Sequence, residues 1–300
     1  MSRESPPGPV SAVSSRTRVW AVALFYLLTC TLTWIAWLAS ATRGIDQPGL
    51  FRLGGPVFLL GVFAPALVAL ALTAYHEGGA GVARLLARIG RWQVGARWYL
   101  LAVGYMAATK LGAALIVRVA TGAWPAFGGT PWPLMAGGIL VSMWVQAGEE
   151  LGWRGYALPR LASFLGLGTA AILIGAMWAI WHLPLFFIPG SGSDGQSFPL
   201  YFLHVTALSV VMTWLYWKTQ GSLLLVMLMH ASVNNTTGIV PAALSGAVNP
   251  LSFRASMVGW ATVGLSWAIA AVLLVYMRGA GKGVRFDPLD HGAGVVIPTA

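Results

Sequence analysis

Two adjacent carboxylates, Glu149 and Glu150, stand inside an apolar run of this 300-residue chain. An ionisable side chain at the centre of a bilayer costs at least ~2.5–3.5 kcal/mol on insertion scales, so acids there are rare and usually functional. The other six acids, Glu4, Asp46, Glu77, Asp194, Asp287 and Asp290, fall in tails or loops. In GEELGWRGYALPRL, residues 148–161, a helix puts Glu150 and Arg154 four apart on one face, acid before base, the favourable order for an ion pair. Glu149 is then turned by about 100° and is left to meet another group. MWAIWHLPLFF, residues 177–187, sets Trp178 and His182 four apart, with Pro184 free to bend the helix behind them. SLLLVMLMHASVNN, residues 222–235, does the same for His230 and Asn234, while Asn235 is rotated a further step away. His204 has no polar partner at helical spacing and reads as structural; His76 and His291 lie outside the apolar runs.

A carboxylate, two imidazoles and an amide around one cavity can hydrolyse an acyl bond. Glu149 with His182 would position and deprotonate a water, and His230 with Asn234 would donate to the developing oxyanion, where fixed donors count most in a dry site. A serine nucleophile is less well supported, because no G-x-S-x-G occurs. Glu149, His182 and His230 would also make a three-ligand set for a divalent metal such as zinc, although H-E-x-x-H is absent, and spacing does not choose between metal and water alone. Each motif has a plainer reading: charges anchoring a helix end, a satisfied core histidine, polar contacts gluing helices together.

The elements that must carry these residues are membrane helices. The chain is 57% hydrophobic and 9% charged, with a mean hydropathy of +0.74; a soluble domain carries roughly 25% charge. The natural solvent is lipid and the fold class is all-α, a polytopic membrane bundle. Eight runs are long enough to span: about 19–41, 55–75, 97–120, 134–158, 167–188, 198–217, 221–240 and 257–277. Residues 1–18 and 279–300 read as cytoplasmic tails, the first disordered, around a single membrane domain over 19–278 whose chemistry-bearing motifs fall within a core at about 135–240. GGAGVARLLARIGRW, residues 78–92, reads as an amphipathic helix on the membrane surface. The net charge of +10 is dispersed among short loops, which argues against a nucleic-acid partner. With both termini inside, thirteen Lys and Arg fall on the cytoplasmic side against Arg43, Arg52 and Arg254 outside, which predicts that orientation in the plasma membrane. Lys110 and Arg118 fall within the third run; Arg118 can snorkel to the interface, and Lys110 has no evident role. Cys30 is the single cysteine, so no intrachain disulfide forms.

At ~1.5 Å per residue, Glu149 lies about 16 Å above Arg160, His182 about 21 Å above Gly168 and His230 about 12 Å above Ser222. The depths match only if the fourth helix runs through Gly152 and Gly155 to about Arg160.

Glu149-Glu150-x-x-x-Arg154, Trp178-x-x-x-His182 and His230-x-x-x-Asn234, in this order and separation and within GWRGYALPRL, WHLPLFF and GSLLLVMLMHASVNN, resemble the CPBP family. That family includes type II CAAX prenyl endopeptidases and bacteriocin self-immunity proteins. The resemblance implies an intramembrane endopeptidase with Glu149 and His182 activating water, Glu150 and Arg154 supporting them, and His230 with Asn234 at the oxyanion. It implies a peptide or membrane-protein substrate within the lipid bilayer. Family members are described both as metalloproteases and as metal-free glutamate enzymes. One departure is Trp178, where the prenyl proteases usually carry Phe. The rival readings are a non-catalytic immunity or scaffold protein and a proton-coupled transporter; the latter should carry inverted repeats, and none is evident.

Overall fold

The computed structural model describes residues 15–42, 55–242 and 249–278, and these are helical with no strand among them. The tails expected at 1–18 and 279–300 lie, apart from the start of the first helix, outside the described residues, as do Arg43 and Arg52. The helices are α1 Ser15–Thr42, α2 Pro56–Ala87, α3 Ala96–Thr121, α4 Trp132–Val145, α5 Ala147–Glu150, α6 Leu158–Leu165, α7 Leu167–Trp181, α8 Phe198–Lys218, α9 Leu223–Thr236 and α10 Met257–Arg278.

Each of the eight apolar runs becomes helix. Among the described residues six segments are long and apolar enough to cross a membrane: Arg18–Thr42, Pro56–Gly90, Ala96–Thr121, Leu167–Phe187, Phe198–Lys218 and Met257–Arg278. The seventh run forms a shorter apolar helix, Leu223–Ile239. The fourth is broken into α4, α5 and α6, joined by a π-helical stretch over Leu151–Ala157. Leu27, Ile35, Leu100, Val119 and Val272 are each more than half exposed; apolar surface on this scale needs lipid to cover it. Membrane helices approach closely where side chains are small, and the fourth run meets α2 this way. A Cβ on Gly148 would lie 3.0 Å from Val62 O, and one on Gly152 would lie 2.8 Å from the Pro65 backbone. One on Gly155 would strike Leu85 at 2.7 Å.

The π-helical stretch widens the turn at that contact. Single-turn π segments are rare and often mark functional sites. Arg88 Nη1 donates to Gly155 O at 3.1 Å and to Tyr216 Oη at 2.9 Å, so a carbonyl of the irregular segment is satisfied from α2's end. The helix thus runs on to Leu165, as the matching depths require. The amphipathic segment at 78–92 is helical but continuous with α2. The break is Gly78 at φ +66, a left-handed conformation open to glycine, after which Gly81 and Leu85 turn inward.

Candidate functional site

The fourth run, α7 and α9 bring their motifs together around the indole of Trp178. Glu149 and Glu150 sit at the end of α5, immediately before the π-helical stretch, and both are buried. Arg154, within that stretch, is fully buried; its Nη1 lies 3.0 Å from both oxygens of Glu150. The expected pairing therefore forms. On its other side Glu150 Oε1 meets His230 Nδ1 at 2.8 Å. One carboxylate holds a guanidinium from its own chain segment and an imidazole from α9.

Glu149 is turned the other way. Its Oε2 accepts a hydrogen bond from Trp178 Nε1 at 2.7 Å. An indole N–H buried in apolar surroundings needs an acceptor, and Glu149 supplies it. The carbonyl of the same tryptophan lies 2.9 Å from His182 Nδ1. A carbonyl can only accept, so Nδ1 of His182 carries the proton, and Nε2 of the neutral ring is a lone-pair acceptor. Trp178 also packs edge-on to His230, with centroids 5.0 Å apart, and lies beneath Arg154, whose Cζ is 4.5 Å from the ring centroid. This cation–π contact faces a guanidinium whose Nε and Nη2 have no hydrogen-bond acceptor among the described residues.

His182 caps α7 and is walled by aromatic rings: Trp181 at 4.5 Å, Tyr201 of α8 at 5.5 Å and Trp37 of α1 at 6.1 Å between centroids. The α1 contact is tied by hydrogen bonds. Trp34 Nε1 donates to Trp181 O at 2.9 Å, Trp181 Nε1 donates to Thr33 Oγ1 at 2.8 Å, and Thr33 Oγ1 donates to Gly61 O of α2 at 2.9 Å.

Glu149, Glu150, Arg154, His182 and His230 thus share one cluster. Asn234 is one turn beyond His230 on α9, exposed and without a hydrogen-bond partner among the described residues. Its neighbour Asn235, which the helical spacing set aside, is the bonded amide. It donates to Ser142 Oγ of α4 at 2.9 Å and to Ala231 O at 2.8 Å, and so pins α9 to α4. The set Glu149, His182 and His230, considered for zinc, does not form a metal-holding group. Among the described residues no three His, Cys, Asp or Glu side chains are gathered closely enough to do so.

Two residues of this site were missed or under-read in the sequence. Trp178 was legible as an aromatic wall, but its donor role follows from the need of a buried indole for an acceptor at Glu149's depth. Tyr201 had no spacing signal, because it meets His182 from a helix that carries no motif of its own.

The family model described as type II CAAX prenyl endopeptidase Rce1-like matches residues 130–236. A curated relative, CAAX prenyl protease 2 of Methanococcus maripaludis, is 37% identical over 92 residues, 29% of this chain. The chain spans about a third of that relative's length, 34%. The stretch 130–236 holds every residue of the cluster from Glu149 to Asn235, and it is similar to the Rce1-like type II CAAX prenyl endopeptidases.

Proposed function

We propose that the chain is an intramembrane endopeptidase that hydrolyses a peptide bond in a peptide or membrane-protein substrate, with water activated by Glu149 and His182. The observation that carries this reading is the pair of hydrogen bonds made by Trp178. Its N–H occupies one oxygen of Glu149 and its carbonyl occupies Nδ1 of His182. Glu149 Oε1 and His182 Nε2 are the acceptors left over, and two acceptors are what the two hydrogens of a water need.

Glu149 takes one proton as the water oxygen attacks the scissile carbonyl carbon. The carbonyl π electrons move onto oxygen, and the tetrahedral anion forms between α7 and α9. Asn234, exposed one turn beyond His230, offers Nδ2–H to that oxyanion. His230 is held in orientation from behind by Glu150, and Glu150 in turn by Arg154. The proton on Glu149 then passes to the amide nitrogen. The C–N bond breaks, leaving a carboxylic acid and an amine. General-base catalysis of this kind contributes typically ~10²–10⁴-fold, and the preorganised pairs keep the buried charges from relaxing onto one another.

The relative's name makes a prenylated CAAX peptide the substrate class to try first, with an unmodified peptide beside it. In the full chain reconstituted in lipid, Glu149→Gln and His182→Ala should each lower turnover of the cleaved peptide by at least about a hundredfold, with the protein still folded. Normal turnover by the Glu149→Gln protein would remove the proposed base.

A further inference from the structure

Tyr201 stands in the histidine pocket with its hydroxyl uncommitted. The ring packs edge-on to His182, with centroids 5.5 Å apart, and to Phe186 at 5.0 Å. Glu149 is within electrostatic reach of it. The residue is half-buried, and among the described residues its Oη makes no hydrogen bond. A tyrosine or tryptophan set in an apolar wall usually turns its polar atom to a partner. The neighbouring indoles do so: Trp178 donates to Glu149 and Trp181 to Thr33. Tyr201 is instead an O–H donor beside the acid and the imidazole, bonded to nothing in the described fold.

The backbone that carries this hydroxyl is fixed. Ser197 caps α8: its Oγ accepts from Leu200 N at 3.3 Å and donates to Ser252 O at 2.6 Å. Phe198 N donates to Pro250 O at 2.7 Å, and the Phe198 ring packs on buried Phe186 at 5.3 Å. Tyr201 lies one turn beyond the cap, its ring held against Phe186 and His182, so the hydroxyl proton is what remains free to turn. A donor held this way needs no reorganisation when charge develops in a dry site. Its capacity also complements the groups beside it. Glu149 Oε1 and His182 Nε2 are acceptors while they hold the water, and neither can then donate to the oxygen that becomes negative.

We propose that Tyr201 is a further catalytic residue, the α8 donor of an oxyanion site whose α9 donor is Asn234. The water oxygen bonds to the scissile carbon, the carbonyl pair moves onto oxygen, and Glu149 takes the water proton. Tyr201 Oη–H then donates a hydrogen bond to the new anion. The phenol keeps its proton throughout, so the balance of the hydrolysis is unchanged. The assignment rests on the hydrolytic reading of the Glu149 cluster and adds to it a group that meets the developing charge.

Tyr201→Phe deletes the hydroxyl and keeps the ring. In the full chain reconstituted in lipid its thermal unfolding midpoint should match the parent's, because no hydrogen bond among the described residues is lost. On the peptide that the parent cleaves, kcat should fall roughly a hundredfold, the effect of removing one oxyanion donor, with KM unchanged. A peptide trifluoromethyl ketone, whose hydrate mimics the tetrahedral adduct, should bind the variant roughly a hundredfold more weakly. A reduced-amide peptide, which has no carbonyl at the scissile position, should bind variant and parent equally. Glu149→Gln runs alongside. Parent-like turnover in Glu149→Gln would remove the hydrolytic reading and this assignment with it. Loss of turnover there beside parent-like kcat and ketone binding in Tyr201→Phe would overturn the Tyr201 assignment alone. So would a lowered midpoint in Tyr201→Phe, or equal weakening of the ketone and the reduced amide, since either would make the hydroxyl a support of the fold or of the binding wall.

Discussion

The polar cluster around Trp178 and a second one, between α3, α8 and α10, are built differently. Around Trp178, two carboxylates, a guanidinium and two imidazoles are joined by hydrogen bonds that run between the fourth run, α7 and α9. Between α3, α8 and α10 lie Lys110, Tyr105, His204 and Ser266, all but His204 nearly inaccessible. Ser266 Oγ is 3.4 Å from His204 Nδ1 and donates to Thr262 O of its own helix at 2.9 Å; Thr109 likewise returns to Tyr105 O at 2.8 Å. Lys110 is within electrostatic reach of His204, and the Tyr105 hydroxyl has no hydrogen-bond partner among the described residues. No acid joins this second group among the described residues. The contrast separates two uses of polarity in a membrane. The first cluster spends its hydrogen bonds between helices and fixes a base in one orientation. The second turns most of its hydroxyls back onto their own helices and gives its cation no counter-ion among the described residues.

Perturbing each cluster sharpens that comparison. The largest stability effect is expected from Arg154→Met, which strands the buried Glu150 carboxylate with His230 alone. Breaking a buried ion pair by removing one partner typically costs about 3–5 kcal/mol, and a large fall in the thermal midpoint would report it. Retention of the parent midpoint would mean that Glu150 does not need its cation. Next comes Trp178→Phe, which keeps the aromatic wall and deletes the N–H on Glu149. A hydrogen bond to a charged group contributes about 1.5–3 kcal/mol, so kcat should drop roughly ten- to a hundredfold with little change in KM. A change confined to KM would show that the indole shapes binding instead of holding the base. The smallest effect is expected from Lys110→Met. It removes an uncompensated cation and should leave turnover within about threefold of the parent while keeping or raising stability, since apolar replacement of buried charge is often neutral or favourable. A turnover loss as large as that of Glu149→Gln would merge the two clusters into one functional unit.

Much of the fold was legible in the sequence because a membrane span is a matter of length and apolar content. The Glu150–Arg154 pair was legible too, since four residues is the same interval in α5 and across the first turn of the π-helical stretch. The π-helical stretch itself was not legible: nothing in LGWRGYA distinguishes it from an α-helix until Gly152 and Gly155 meet Pro65 and Leu85 of α2. Nor was the Gly78 break, which makes one interrupted element of what reads as a span and a separate surface helix. The choice between Asn234 and Asn235 turned on a rotation of about 100°. Spacing measured from His230 favours the first, but the approach of α4, made possible at Gly138, recruits the second through Ser142. Trp178 is the instructive case, a residue read for its bulk whose single polar atom orients the acid.

The chain of bonds from Trp34 through Trp181 and Thr33 to Gly61 ties the family-matched stretch to helices well upstream of it. A fragment trimmed to 130–236 would lose the Trp37 side of the histidine pocket and leave the Trp181 indole N–H facing a missing acceptor. What sequence comparison delimits as a module is, mechanically, an arch whose keystone is in place only while the first two helices press against it.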